Sequence, residues 1–328
     1  MSILGNRVTR IEDPRFLTGK GTYIANLDLP GARHISFVRS SMAHAKITGI
    51  DASEALSMPG VIAVLTAADV DMEPAKPSIP LLNQDMRRPF LAIDVVRFVG
   101  DPIAMVISET KEQGVDAAET VVVDYDPLPA VLDVADALTD TTVLFPEAKT
   151  NVVFTLPTPA DPTIFANCEV VVELEIENQR VAPAPMEVRA AAAVWDGKRL
   201  TQWACSQGAH GARDGLAAAL GLAKEDVRTI TPDVGGVFGA KNGVYPEEIL
   251  VDVVFLRGVL LPDFLAGARI QAADHFIPFL SREDIDLVTH YRRRCHSVAD
   301  GDFPFLGQLL RPGGRSDKSA GLSVSIGP

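Results

Sequence analysis

Arg97 to Val131 reads RFVGDPIAMVISETKEQGVDAAETVVVDYDPLPAV, and this stretch decides the fold. Its opening, through Glu109, is rich in apolar and β-branched residues and predicts a strand. Lys111 to Glu119 has helical composition. The following VVVDYDPLPAV predicts a second strand, ended at Pro127 and Pro129 because proline brings no amide to a ladder. Further toward the N-terminus, HISFVRS (34–40), AKITGIDA (45–52) and GVIAVLTAADV (60–70) each read as strands as well. The Pro-rich EPAKPSIPLLNQDMRRPF (73–90) separates them from Arg97 as a loop or covering segment. Strands mixed with a few helices in this order predict an α+β domain over residues 1–147.

Toward the C-terminus, Phe145 to Pro162 reads as a linker rich in Pro and Thr. CEVVVELEIENQ (168–179) then reads as a long strand. AAAAVW (190–195) and KRLTQWACS (198–206) flank Asp196-Gly197, a hairpin signal because both turn positions accept positive φ. The Ala/Leu-rich GARDGLAAALGLAKEDV (211–227) predicts a helix that Gly221 caps. VRTITPDV (227–234) is a strand leading into the Gly-rich turn GGVFGAK (235–241). Residues 148–250 thus read as the start of a second α+β unit. The tail, 251–328, differs in texture. VDVVFLRGVLLPDFLAGARI is apolar, and then come RRRCH and the polar RPGGRSDKSAG.

Composition narrows the function. Of 328 residues, 47% are hydrophobic and 22% charged, the balance of a folded protein with room for a sizeable core. The net charge of −13 disfavours nucleic-acid phosphates and anionic membrane surfaces as partners. No apolar run approaches the roughly 20 residues of a bilayer span. The N-terminal MSILGNRVTRIEDPRF carries charges where a secretory leader needs an apolar stretch, so the expected compartment is the cytoplasm. Cys168, Cys205 and Cys295 are too widely spaced for a disulfide framework, a zinc site or an iron–sulfur site. The six histidines show no metal-ligand spacing, and no nucleophile elbow is present.

The turn at Gly235, Gly236, Val237, Phe238 and Gly239, followed by Lys241, is the main candidate for chemistry. Glycines after a strand let backbone N–H groups approach an anion closely. The spacing is neither the dinucleotide fingerprint nor the Walker loop, and a plain strand-to-helix connection explains the glycines equally well. Gln207 offers an amide donor and acceptor to an oxo or pterin ligand, or caps the helix that follows. Glu187, with Arg180 and Arg189 near in sequence, reads as a structurally paired carboxylate. Glu247 and Glu248 read as a solvated helix N-terminus.

Seven collinear stretches resemble the large subunit of the molybdenum hydroxylases, the xanthine dehydrogenase/aldehyde oxidase family, and its carbon monoxide dehydrogenase-like branch in particular. RIEDPRFLTGKGTYIANLDLPG resembles the family's N-terminal signature. HISFVRSSMAHAKITGIDASEALSMPGVIAVLTAADV, RFVGDPIAMVISET and AAETVVVDYDPLPAVLD resemble its α/β hammerhead domain. ENQRVAPAPMEVRAA, ACSQGAHGARDGLAAALGL and TPDVGGVFGAKNGVYPEEIL resemble the beginning of its molybdopterin-binding domain. The match runs from about Arg7 to Leu250.

The resemblance implies a molybdenum–molybdopterin cofactor, in its cytosine dinucleotide form. It implies FAD on a medium subunit and 2Fe-2S clusters on a small subunit, in an assembly that pairs two such heterotrimers. It implies hydroxylation of an aldehyde, N-heterocycle or carbon monoxide carbon with oxygen drawn from water. The family's motif beside the molybdenum maps to Gly235, Gly236, Phe238 and Gly239, and its molybdenum-side glutamine to Gln207. Two positions depart. Val237 stands for a third glycine, where a β-branched residue resists positive φ, and Val188 stands for a proline. The family's glutamate base and most pterin contacts have no counterpart here, so the chain is expected to represent the N-terminal part, with a divergent or frame-disrupted tail in which SREDID, GDFPFLGQ and GLSVSIGP echo later family segments. A non-catalytic hammerhead module for subunit interaction is the competing expectation.

Overall fold

The computed structural model describes residues 4–5, 7–70, 72–156, 161, 163–178, 181–256, 269–273 and 320–327. In chain order these form α1 (Asp13–Leu17), β1 (Ala32–Arg39), β2 (Ala45–Asp51), α2 (Ser53–Ser57), β3 (Val61–Thr66) and α3 (Ala67–Val70). Then come β4 (Val95–Val96), β5 (Pro102–Ser108), α4 (Lys111–Thr120), β6 (Val122–Pro127), α5 (Val134–Leu138) and β7 (Val170–Glu177). The remainder are β8 (Ala190–Trp195), β9 (Leu200–Ala204), α6 (Ala209–Leu220), β10 (Val227–Ile230), α7 (Pro246–Leu256), β11 (Arg269–Ala273) and β12 (Ala320–Gly327). The chain divides into two compact units. The first joins the segments up to Pro77, Arg87–Ala130 and Ala182–Ser281; the second takes Ser78–Met86, Val131–Val181 and the segment from Arg282.

The strand–helix–strand at 97–131 holds. β5 is buried at all seven positions, because β1 and β3 flank it in antiparallel register and both of its faces are covered. Its side chains alternate between two cores. Met105 and Ile107 join Ile35, Leu65, Leu200, Leu216 and Leu250, while Ala104 and Val106 join Val38, Ala55 and Ala117. Each large side chain fully buried this way stabilises the fold by about 1.5–3 kcal/mol. α4 begins with a capping box in which the Thr110 side chain accepts from the Gln113 amide and Gln113 answers the Thr110 amide. Its small Gly114 and Ala117 bring it close to the sheet.

Two strand expectations need trimming. Of GVIAVLTAADV only Val61–Thr66 is extended. AADV turns helical because Asp69 accepts hydrogen bonds from the Thr66 backbone and hydroxyl, at 2.7 and 2.8 Å. Of RFVGDPIAMVISE, β5 starts only at Pro102, after a turn through Phe98 to Asp101.

The large sheet of the first unit has the order β10-β9-β8-β11-β1-β5-β3. It therefore draws strands from both stretches that the sequence reads as successive α+β segments. β8 and β9 form the expected hairpin, Trp195 opposite Leu200. Only Gly197 takes positive φ there, at 91°, and Asp196 instead accepts the amides of Lys198 and Arg199 at 2.9 and 2.6 Å. β10 runs parallel to β9, and α6 returns between them, ended at Gly221 with φ 68° as expected. A small sheet, β4-β2-β6, closes a third core around Ala45, Val96 and Ile103.

In the second unit, Asn151 organises the linker. Its side-chain amide donates to the carbonyls of Ala137 and Thr142, and its carbonyl accepts from the Leu144 amide. β7 pairs in parallel with β12. The sequence echoes at 281–286 and 301–308 lie outside the described residues.

Candidate functional site

The glycine turn leaves β10 at the edge of the large sheet and leads to α7. Its backbone is set by three positive φ values: 97° at Gly236, 47° at Phe238 and 87° at Gly239. Val237 is not among them, so the strain expected at that departure falls on Phe238, where a left-handed conformation costs a non-glycine residue roughly 1 kcal/mol. The Phe238 ring stays largely exposed, at 73%, and lies over Gly236. Gly235 is required for space. A Cβ there would sit 2.6 Å from Cβ of Glu187.

Glu187 is paired, as its sequence setting suggested, and its partners lie in the glycine turn. Its Oε2 accepts from the Gly235 amide at 2.8 Å and from Nζ of Lys241 at 3.0 Å. Lys241 is fully buried, its ammonium held by that carboxylate. Gln207 is exposed, and it does not cap α6, whose N-cap is Gly208 with no side-chain bond. The Gln207 amide donates to the Lys241 carbonyl at 3.0 Å, which ties Gln207 to the far end of the turn. The backbone of Gln207 thus lies beside the Lys241 end of the turn that carries Gly235, Gly236, Phe238 and Gly239.

At the start of α7 lie buried ion pairs that sequence reading missed. Glu247 and Glu248 are buried, not solvated. Glu247 holds Arg39 of β1 at 2.8 Å and Arg189 at 3.7 Å. Burial alone would push the Glu247 carboxyl up, but the field of Arg189, Arg39 and Arg88 holds it down at about 2. The Arg189 guanidinium also stacks 3.6 Å from the Tyr245 ring centre. Deeper still, Asp252 is fully buried on α7 and accepts from the Gln202 amide at 2.6 Å. Burial pushes its carboxyl well up. Alternation along LTQWA places Gln202 on the buried face with Leu200 and Ala204, a signal the sequence offered. Asp233, just before the turn, is held at about 2 by the paired Arg15 guanidinium, with further help from the Thr22 amide.

A molybdopterin needs backbone donors and open space beside them. The amides of Gly236, Val237, Phe238 and Gly239 donate no hydrogen bond among the described residues. A Cβ at Gly239, Gly208 or Gly211 would meet nothing within 4 Å. Four successive amides uncommitted among the described residues, with open space at Gly239, suit an oxo or anionic group, so the residues fit the cofactor. Among the described residues no helix is long and apolar enough to cross a membrane.

Comparisons with known proteins agree with this fold. The family model described as aldehyde oxidase and xanthine dehydrogenase, a/b hammerhead domain, matches residues 18–129. The molybdopterin cofactor-binding domain model matches residues 144–256. The chain is similar to the nicotine 6-hydroxylase large subunit of Paenarthrobacter nicotinovorans, 38% identical over 76% of this chain and 32% of that protein. It is similar to the carbon monoxide dehydrogenase large chain of Hydrogenophaga pseudoflava, 37% identical over 73% of this chain and 32% of that one. Among solved structures it resembles quinoline 2-oxidoreductase from Pseudomonas putida 86, with a TM-score of 0.69 and 33% identity over 83% of this chain and 35% of that chain. The chain therefore spans about a third of the length of these relatives. With an α/β hammerhead domain followed by the beginning of a molybdopterin-binding domain, it belongs to the molybdenum hydroxylase large subunits of the aldehyde oxidase/xanthine dehydrogenase family.

Proposed function

We propose that this chain forms one wall of a molybdenum–molybdopterin site, in which Gln207, Gly235, Gly236, Phe238 and Gly239 hold the cofactor. The run of four amides at Gly236–Gly239 that are uncommitted among the described residues carries this reading. Gly235 contributes by shape, since its own amide serves Glu187. The bound group supplies redox and oxygen-transfer chemistry, and these residues bind and orient it. By likeness to the relatives, the cofactor is the cytosine dinucleotide form. The partners are an FAD-binding medium subunit and a 2Fe-2S small subunit, in a cytoplasmic pair of heterotrimers. The reaction is hydroxylation of an aldehyde, N-heterocycle or carbon monoxide carbon.

The experiment is co-expression with such partner subunits and the cofactor pathway, followed by molybdenum analysis of the folded chain. Molybdenum approaching one per chain is the expected result. A folded, partner-bound, metal-free chain defeats this reading and leaves the non-catalytic module. One observation favours that alternative: two cores are built wholly from residues 38–125 and need no later segment.

A further inference from the structure

The glycine turn opens at Gly235 and closes at Lys241, and one carboxylate oxygen engages both ends. Glu187 Oε2 accepts from the Gly235 amide and from the Lys241 ammonium, while the Glu187 amide donates to the Gly235 carbonyl at 3.2 Å. The space for this approach exists only because residue 235 has no side chain. Lys241 in turn accepts from the Gln207 amide through its carbonyl. Three separate segments meet at one buried ion pair.

Stability alone is a poor explanation for such a pair. Desolvating both charges offsets much of their attraction, and apolar replacements of similar volume are often neutral or better. What an apolar pair cannot do is accept the Gly235 amide and so fix where the turn begins. With both ends held, the amides of Gly236 to Gly239 remain uncommitted among the described residues along the span between. We propose that Glu187 and Lys241 are positioning residues for the molybdenum cofactor: as a clasp they set the backbone of the turn that receives it. This rests on the reading of the turn as a cofactor face.

The test compares two neutral double variants, Glu187→Gln/Lys241→Met and Glu187→Leu/Lys241→Met. Both remove the buried charges, but only the first keeps an acceptor for the Gly235 amide. Thermal midpoint, hydrogen exchange of the Gly235 amide and molybdenum content are measured for each, the last after co-expression with the partner subunits. The clasp predicts equal midpoints, yet exchange about tenfold faster in the Leu variant and molybdenum reduced to less than about half. If both variants match in turn exchange, or if molybdenum content simply follows the midpoint, the proposal is overturned. Should neither variant fold, the unmodified chain still decides. A Gly235 amide that exchanges as fast as an open one refutes the clasp, and a protected one supports it. Should the unmodified chain take up no molybdenum, the proposed function fails, while the exchange comparison still judges the clasp by itself.

Discussion

Asp252 and the turn glycines show how single residues carry opposite obligations. Burial raises the Asp252 carboxyl above its unfolded value, so its contribution to stability is complete below the unfolded pKa and is lost as pH rises toward the folded one. It therefore opposes folding at neutral pH. Asp252→Asn should raise the urea midpoint at about pH 8 and leave it unchanged near pH 4; an equal effect at both pH values would remove the charge from the explanation. At Gly236 a side chain meets both a φ of 97° and a Phe238 ring carbon 2.9 Å away, so Gly236→Ala should cost roughly 1–3 kcal/mol. Gly211, in the first turn of α6 with open space around it, is the control. Gly211→Ala should stabilise by about 0.4–1 kcal/mol. Chemical denaturation of both variants checks the contrast, and equal signs would mean the turn is not as tightly held as its geometry implies.

Among the elements, α1 and α7 are held by carboxylates whose pKa values are depressed. Asp233 ties Arg15 of α1 and the Thr22 amide to the approach of the glycine turn, and Glu247 ties α7 to Arg39 of β1. Both are held at about 2, so their contribution is present above the unfolded carboxylate range and lost as pH falls from about 4 through about 2. Acid should release the N-terminal segment. Arg15→Gln should do the same at neutral pH, seen as earlier proteolytic cutting before Thr22, and unchanged cutting would contradict the tie. β7 poses a different problem. Val170, Val171, Val172, Leu174 and Ile176 are all about half exposed, so apolar surface faces solvent on both sides of the strand. The chain should bind an apolar dye, and Val172→Lys with Leu174→Lys should reduce both dye binding and aggregation. Dye binding indifferent to these changes would locate the apolar surface elsewhere.

For the whole molecule, the main strands and two of the helices were legible in the sequence, and the site only in part. Apolar and β-branched runs, helical composition and turn residues marked β1, β5, α4, β6, the β8–β9 hairpin and the Gly221 cap, because these signals are local. The glycine turn was legible as a candidate, and collinear motifs tied it to a family. The sheet that joins β1 and β5 to β8 through β11 was not legible, since parallel and crossover pairings leave no local pattern. For the same reason Glu187 could not be matched with Lys241, nor Glu247 with Arg39, partners 54 and 208 residues apart. Val237 misled because positive φ was assigned to it by position, whereas the turn places that conformation on Phe238.

The turn at Gly235–Lys241 is the face proposed to receive molybdopterin. Its most direct test is hydrogen exchange on the chain purified with its partners, with and without molybdenum cofactor. Bound cofactor should slow exchange chiefly at residues 236–239 and near Gln207, with β1 and β5 unaffected. A cofactor that is bound and quantified while these amides exchange as before would contradict it.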